Sequence, residues 1–152
     1  MPTKDPASRV DGRPPAADSF SKLIARYATD RSGAIEAIRT GLPASLLKDA
    51  GQYFAVPTQR IRTILKLPET TAHSLIKRGA LMDAAASERI WRLADLMHFA
   101  QEVFEDDEAA KNWLRTPSLT FLNVAPMDYL DTEPGAIAVR QVLNAIATGG
   151  VL

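Results

Sequence analysis

The stretch Val56-Pro57-Thr58-Gln59-Arg60-Ile61-Arg62-Thr63-Ile64-Leu65-Lys66-Leu67-Pro68-Glu69-Thr70-Thr71-Ala72-His73-Ser74-Leu75-Ile76-Lys77-Arg78-Gly79-Ala80 decides how this chain is read. After Pro57, Ile61, Ile64 and Leu65 recur at helical spacing and give a short helix one inward face. Lys66-Leu67-Pro68-Glu69 reads as a turn, and the residues from Thr70 on form a second helix that Gly79 closes. Two short helices about so tight a turn make a helix-turn-helix pattern over residues 57–79. In the second helix Ala72, Leu75 and Ile76 face inward, leaving Thr70, Thr71, His73, Ser74, Lys77 and Arg78 outside. Residues 57–80 hold five basic side chains and one acidic, a net +4 that suits a phosphate backbone. Arg60, Arg62, Lys77 and Arg78 are the expected phosphate contacts, with Thr70, Thr71, His73 and Ser74 completing a DNA-binding face. That outer face has no Asn or Gln to read adenine, so backbone contact is expected ahead of sequence readout. On these residues alone, a helical hairpin with a solvated face is an equal alternative.

Toward the N-terminus, residues 1–18 carry four prolines and almost no large apolar side chain, so they cannot offset their ordering entropy and are expected to form a mobile arm. From Ser19 the pattern turns helical: Phe20, Leu23, Ile24 and Tyr27 recur at spacings of three and four, and Ile35 and Ile38 mark a second run. Gly41 stops that run where a left-handed residue is favoured, and Pro43 is placed to open the next helix, with Leu46, Leu47, Ala50 and Phe54 as its buried stripe.

Toward the C-terminus, Asp83 can cap a long helix, Ala84 to Phe104, of about 30 Å. Ile90, Leu93, Ala94, Met97 and Phe104 make one apolar face, which Trp91, Leu96, Phe99 and Val103 widen. So wide a face belongs to a core or is shared with another chain, and the second reading predicts a homodimer through it. His98 has no second histidine or carboxylate at metal spacing and reads as a packed imidazole. Glu105-Asp106-Asp107-Glu108 lacks the alternating ligands and central glycine of an EF-hand and fits the first turn of a helix instead. Residues 118–125 form a loop rich in Leu119, Phe121, Leu122 and Val124, residues 126–130 a helical turn, and Thr132 caps a last helix up to Ala147. Gly149-Gly150-Val151-Leu152 reads as a flexible apolar tail.

Runs of alternating β-branched residues are missing, so the fold is expected to be all-α, with six to eight helices: a helical helix-turn-helix domain over 19–82 and a compact helical domain over 83–152. The net charge of zero conceals an asymmetry, +6 in residues 1–80 and −6 in residues 81–152. The basic half suits a polyanion and the acidic half a basic protein surface. With no cysteine and two histidines, the chain has no disulfide, thiolate metal site or thiol nucleophile, and it has no phosphate-binding glycine loop or nucleophile elbow. A binding protein without catalysis, cofactor or metal is expected. No apolar run approaches the roughly 18 residues that span a bilayer and no signal-peptide core is present, so a cytoplasmic location is expected.

Residues 41–149 resemble the antitoxins of the Xre/MbcA/ParS type, partners of RES-domain toxins in bacterial toxin–antitoxin pairs. The resemblance lies in Ser87-Glu88-Arg89-Ile90-Trp91-Arg92-Leu93-Ala94, Glu102-Val103-Phe104, Glu108-Ala109-Ala110, Trp113-Leu114-Arg115-Thr116-Pro117, Pro126-Met127-Asp128-Tyr129-Leu130-Asp131-Thr132-Glu133-Pro134-Gly135 and Val142-Leu143. It implies neutralisation of an NAD-consuming or ADP-ribosylating toxin by covering its NAD pocket, in a heterotetramer or larger complex, together with binding to the promoter of its own operon. Toxin contact is then expected from Phe121, Leu122, Asn123, Arg140 and Asn144, and from a tail, Gly149, Gly150, Val151 and Leu152, that could enter the NAD pocket as an apolar, anionic probe. Two departures stand out: the second helix of the pair is poor in arginine, and Thr120-Phe121-Leu122-Asn123-Val124 lacks the Gly-Gly step often found in that loop. A stand-alone helix-turn-helix transcriptional regulator, or a structural adaptor without DNA binding, are the alternatives.

Overall fold

The computed structural model describes residues 16–150, with side chains from Phe20 onward. Eight α-helices follow one another among these residues: α1 (Ala16–Tyr27), α2 (Arg31–Thr40), α3 (Leu46–Phe54), α4 (Thr58–Leu65), α5 (Glu69–Arg78), α6 (Ala84–Phe104), α7 (Asp107–Arg115) and α8 (Glu133–Ala147). Two 3₁₀ turns, Leu119–Phe121 and Pro126–Tyr129, lie between α7 and α8. No strand occurs among the described residues, only the isolated bridges Pro43–Leu81 and Ser118–Val124. The all-α expectation holds. Residues 1–15 of the expected mobile arm, and Val151 and Leu152, lie outside the described residues. The helix itself starts at Ala16, three residues before Ser19, because Ala16 and Ala17 are strong helix formers directly after the Pro14-Pro15 pair.

Helix α6 is the axis of the molecule. Helices α1, α2, α4, α7 and α8 all pack on it, and Ile90, Leu93, Leu96, Met97 and Ala100 are sealed among them. Much of its broad apolar surface is thus covered within one chain, while Trp91, Phe99, Val103 and Phe104 are only half-buried against the same core, so the expected homodimer contact is neither supported nor excluded by this packing. That core runs unbroken from Phe20 to Leu143 and unites the basic and acidic halves. Phe20, Tyr53 and Phe54 form an aromatic triangle with ring centres 5.1–5.6 Å apart.

The helix ends follow local chemistry. Asp30, Asp83, Asp106 and Thr132 each accept a hydrogen bond from a backbone N–H three residues on, as N-caps do. The acidic run divides: Glu105 terminates α6 in the left-handed region, Asp106 caps α7, and Asp107 and Glu108 occupy its first turn. Pro43 does not open α3. It starts a tight turn whose carbonyl accepts from Leu46 N, and the helix begins at Leu46, because Pro43 is held in the bridge to Leu81. Gly41 ends α2 at φ +108°, ψ 138°, outside the left-handed helical region that was expected. At the far end Gly149 N donates to Ile146 O and Gly150 N to Ala145 O, with Gly149 at φ +73°. These two glycines form a Schellman cap on α8 rather than a flexible linker.

Candidate functional site

Helices α4 and α5 meet at a left-handed Lys66, where Leu67 N donates to Arg62 O and the Arg62 guanidinium donates back to Leu67 O at 3.1 Å. This double link fixes the turn. Helix α5 buries only Ala72 and rests mainly on α4, so it stands out from the body. Thr70, Thr71, His73, Ser74, Lys77 and Arg78 are all exposed on it, as the periodicity predicted. Arg78 Nε donates to Ser74 Oγ at 3.3 Å. A cleft of about 560 Å³ separates the two helices, lined by Thr58, Gln59, Arg62, Thr70 and His73 among others. The N-caps of both helices are prolines, Pro57 and Pro68, with no side chain to satisfy the free N–H groups, and so both helix starts present donors near the cleft. Gln59, exposed in the same cleft, supplies an amide that the second helix lacks; helical periodicity does not point to it because it sits on the first helix.

Arg60 lies elsewhere. Its Nε and Nη2 donate to Asp128 Oδ1 and Oδ2 at 3.1 and 2.9 Å, and Nη2 also donates to Arg115 O at 3.1 Å. This guanidinium joins the helix-turn-helix to the C-terminal half instead of facing solvent with Lys77 and Arg78. Two further arginines cross the same seam, Arg89 donating to Leu65 O and Arg115 to Phe54 O; within the C-terminal half the buried Arg92 donates to Leu130 O at 2.9 Å while pairing with Glu88. A planar guanidinium suits such work, since it can serve several acceptors in one plane.

Beyond the seam, residues 118–124 form a small closed tip. Phe121 N and Asn123 N both donate to Ser118 O, Ser118 N donates to Val124 O, and Leu122 and Asn123 stand at φ 58° and 65°. Phe121 is turned inward, 3% exposed, between the Trp113 and Tyr129 rings. Tyr129 OH donates to Phe121 O at 3.0 Å. Leu119 and Leu122 are left 82% and 81% exposed. The expectation of contact from Phe121 is therefore corrected: the ring is core, and Leu119, named in the apolar loop but not among the expected contacts, stands outside. Leu119 opens the 3₁₀ turn and Leu122 caps it, so both exposed leucines belong to this one tip. On α8, Asn144 is exposed, and Arg140 pairs with Asp95 and lies over the Phe99 ring at 5.5 Å. The structure thus presents Leu122, Asn123 and Asn144 at the surface, while Val151 and Leu152 lie outside the described residues.

No cluster of metal-ligating side chains occurs among the described residues, and no described helix is long and apolar enough to cross a membrane. The strongest electrostatic coupling is structural: burial and the neighbouring Asp107 carboxylate push Tyr53 well above the usual tyrosine range.

Residues 33–95 match the Antitoxin Xre-like helix-turn-helix domain, and residues 99–149 match the Antitoxin Xre/MbcA/ParS C-terminal toxin-binding domain. The chain belongs to the Xre/MbcA/ParS family of antitoxins. Its first match runs from α2 into α6 and contains the α4–α5 pair; its second contains the Leu119–Leu122 tip and α8. It is similar to the antitoxin Xre of Pseudomonas putida, 34% identical over 83 residues, 55% of this chain, and the matched stretch spans only about half (52%) of that relative. It is also similar to the Prs ADP-ribosylating antitoxin of a Sphingobium strain, 28% identical over 147 residues, 91% of this chain and 89% of that one. The family model that matches residues 99–149 is described as a toxin-binding domain, which is the coarse role its family match gives this half of the chain.

Proposed function

We propose that this antitoxin neutralises a RES-domain toxin that consumes NAD or transfers ADP-ribose, that it does so by covering the NAD pocket with its C-terminal domain, and that it binds the promoter of its own operon through α5. The observation that carries the toxin reading is the tip. Two leucines more than four-fifths exposed, on a closed turn within the toxin-binding match, are the most exposed large apolar side chains among the described residues and suit an apolar partner contact. The acidic balance of residues 81–152 supports the NAD pocket as target, since a pocket that binds a pyrophosphate is electropositive. The name of the Sphingobium relative, an ADP-ribosylating antitoxin, points to the same chemistry. For the promoter, α5 offers Lys77 and Arg78 with four small polar neighbours, and the cleft adds Gln59 and Arg62.

Co-expression of the antitoxin with a RES-domain toxin from the same operon, where its gene neighbourhood encodes one, tests the reading. The expected result is a complex that survives purification and in which NAD turnover is suppressed. No complex, or a complex with full NAD turnover, overturns it. A stand-alone regulator predicts promoter binding with no such complex.

A further inference from the structure

Asp128 sits on the 3₁₀ turn Pro126–Tyr129, directly before the residue that holds the tip. One chain of contacts runs from α4 through this turn to the exposed leucines. Arg60 grips both Asp128 oxygens and the Arg115 carbonyl at the end of α7, and so fixes the turn against α7. Tyr129, next in sequence, then donates its hydroxyl to Phe121 O at 3.0 Å and packs its ring 5.1 Å from the Phe121 ring. Phe121 is followed directly by the left-handed step at Leu122, at φ 58°. A branched residue at positive φ is held there only by its surroundings, at a cost of order 1 kcal/mol or more, so the tip keeps its shape because Phe121 is anchored.

We infer that Arg60, Asp128 and Tyr129 are positioning residues for toxin binding: they hold the Leu119–Leu122 tip in its contact shape, and Arg60 does this work instead of contacting DNA. The helix-turn-helix therefore contributes to neutralisation without touching the toxin. This inference rests on the reading of the tip as a toxin contact, and the experiment separates the two. Arg60→Met keeps the length of the side chain and removes all three donations; Asp128→Asn removes the charge; Tyr129→Phe removes only the hydroxyl. Each full-length variant is compared with the wild type in three measurements: amide hydrogen exchange of Phe121, Asn123 and Val124, affinity for the same RES-domain toxin, and the salt dependence of promoter binding.

The expected result is exchange at these three amides about tenfold faster, toxin affinity lower by about tenfold, and a promoter salt slope left unchanged, with Arg60→Lys intermediate because it keeps the charge and loses the fork. A general structural role would instead speed exchange in α5 and weaken promoter binding in parallel. Normal exchange at the tip in Arg60→Met and Tyr129→Phe overturns the inference. A salt slope reduced by about one unit in Arg60→Met returns Arg60 to the DNA contacts and overturns it equally. Loss of toxin affinity in a Leu119→Ser, Leu122→Ser double variant with none in the three positioning variants sinks the inference and leaves the contact reading standing. Full affinity in the double variant sinks the contact reading itself.

Discussion

Tyr53 donates its hydroxyl to Asp107 Oδ1 at 3.0 Å, tying α3 of the helix-turn-helix half to the first turn of α7. Gln101 donates to both oxygens, and the Lys111 ammonium lies 4.1 Å from the centre of the Tyr53 ring while pairing with Asp107. Burial opposes ionisation of Asp107, but donations from Gln101, Lys111 and Tyr53 outweigh it and hold the carboxyl below its ordinary value of 3.8. Tyr53 moves the other way, above its ordinary 10.0, through burial first and the carboxylate second.

The two shifts set a pH window. A depressed carboxyl contributes stability above its unfolded value and loses it as pH falls through the folded one. A raised phenol contributes fully below its unfolded value and loses it as pH rises past that value toward the folded one. The latch should therefore be intact between about pH 4 and about pH 10, and the melting temperature should fall beyond both limits. Tyr53→Phe should lower stability by about 1 kcal/mol at neutral pH and flatten the alkaline fall. Thermal melts of both proteins across pH check it; an unchanged alkaline slope in Tyr53→Phe removes the latch.

Within the tip, two neighbouring residues should respond in opposite ways. Phe121→Ala empties a site enclosed by Trp113 and Tyr129 and should cost about 3–5 kcal/mol of stability. Leu122→Gly relieves a positive φ at an exposed position and should leave stability unchanged or raise it by up to about 1 kcal/mol, while toxin affinity falls roughly tenfold as an apolar contact is lost. Denaturant unfolding and a binding titration on each variant make the comparison. Tight toxin binding by Leu122→Gly would detach the strained leucine from recognition.

Helical periodicity was enough to place α4, the exposed row on α5, Asp83 and Thr132 as caps and the full extent of α8, because each depends on neighbours within four residues. What could not be read depends on distant ones. Arg60 looked like a free cation in a basic window; its partner, Asp128, is 68 residues away. Phe121 and Leu122 are equally apolar in sequence, and only the Trp113 and Tyr129 rings decide which goes inside. The apolar breadth of α6 was legible, but how much of it one chain would cover depended on how α1, α2, α4, α7 and α8 closed around it.

Arg92 carries stability inside the C-terminal half. Its guanidinium is almost fully enclosed and donates to Leu130 O, just before the turn into α8, while Glu88 balances its charge from one helical turn back. Arg92→Met should leave the Leu130 carbonyl without that donor, for a loss of about 1–3 kcal/mol. Unfolding should remain a single transition, since one core runs through both halves. Two separated transitions in a calorimetric scan of the variant would refute a single core through both halves.

The DNA face makes the last prediction. Lys77 and Arg78 end α5 with their side chains exposed, and neither forms an ion pair among the described residues. Each phosphate contact releases condensed counterions, so replacing both residues by Ala should flatten the log–log salt dependence of promoter binding by about one unit per lost contact. Neither residue is part of the seam or the tip, so toxin binding and melting temperature should stay at wild-type values. Arg62→Ala should behave differently: it also breaks the donation to Leu67 O that fixes the turn, and should lower promoter affinity and stability together. Gel-shift titrations over a salt series, run beside melts, distinguish the two patterns. An unchanged slope in the Lys77→Ala, Arg78→Ala double variant would take the end of α5 out of the interface and leave only the cleft near Gln59 and His73 to meet DNA.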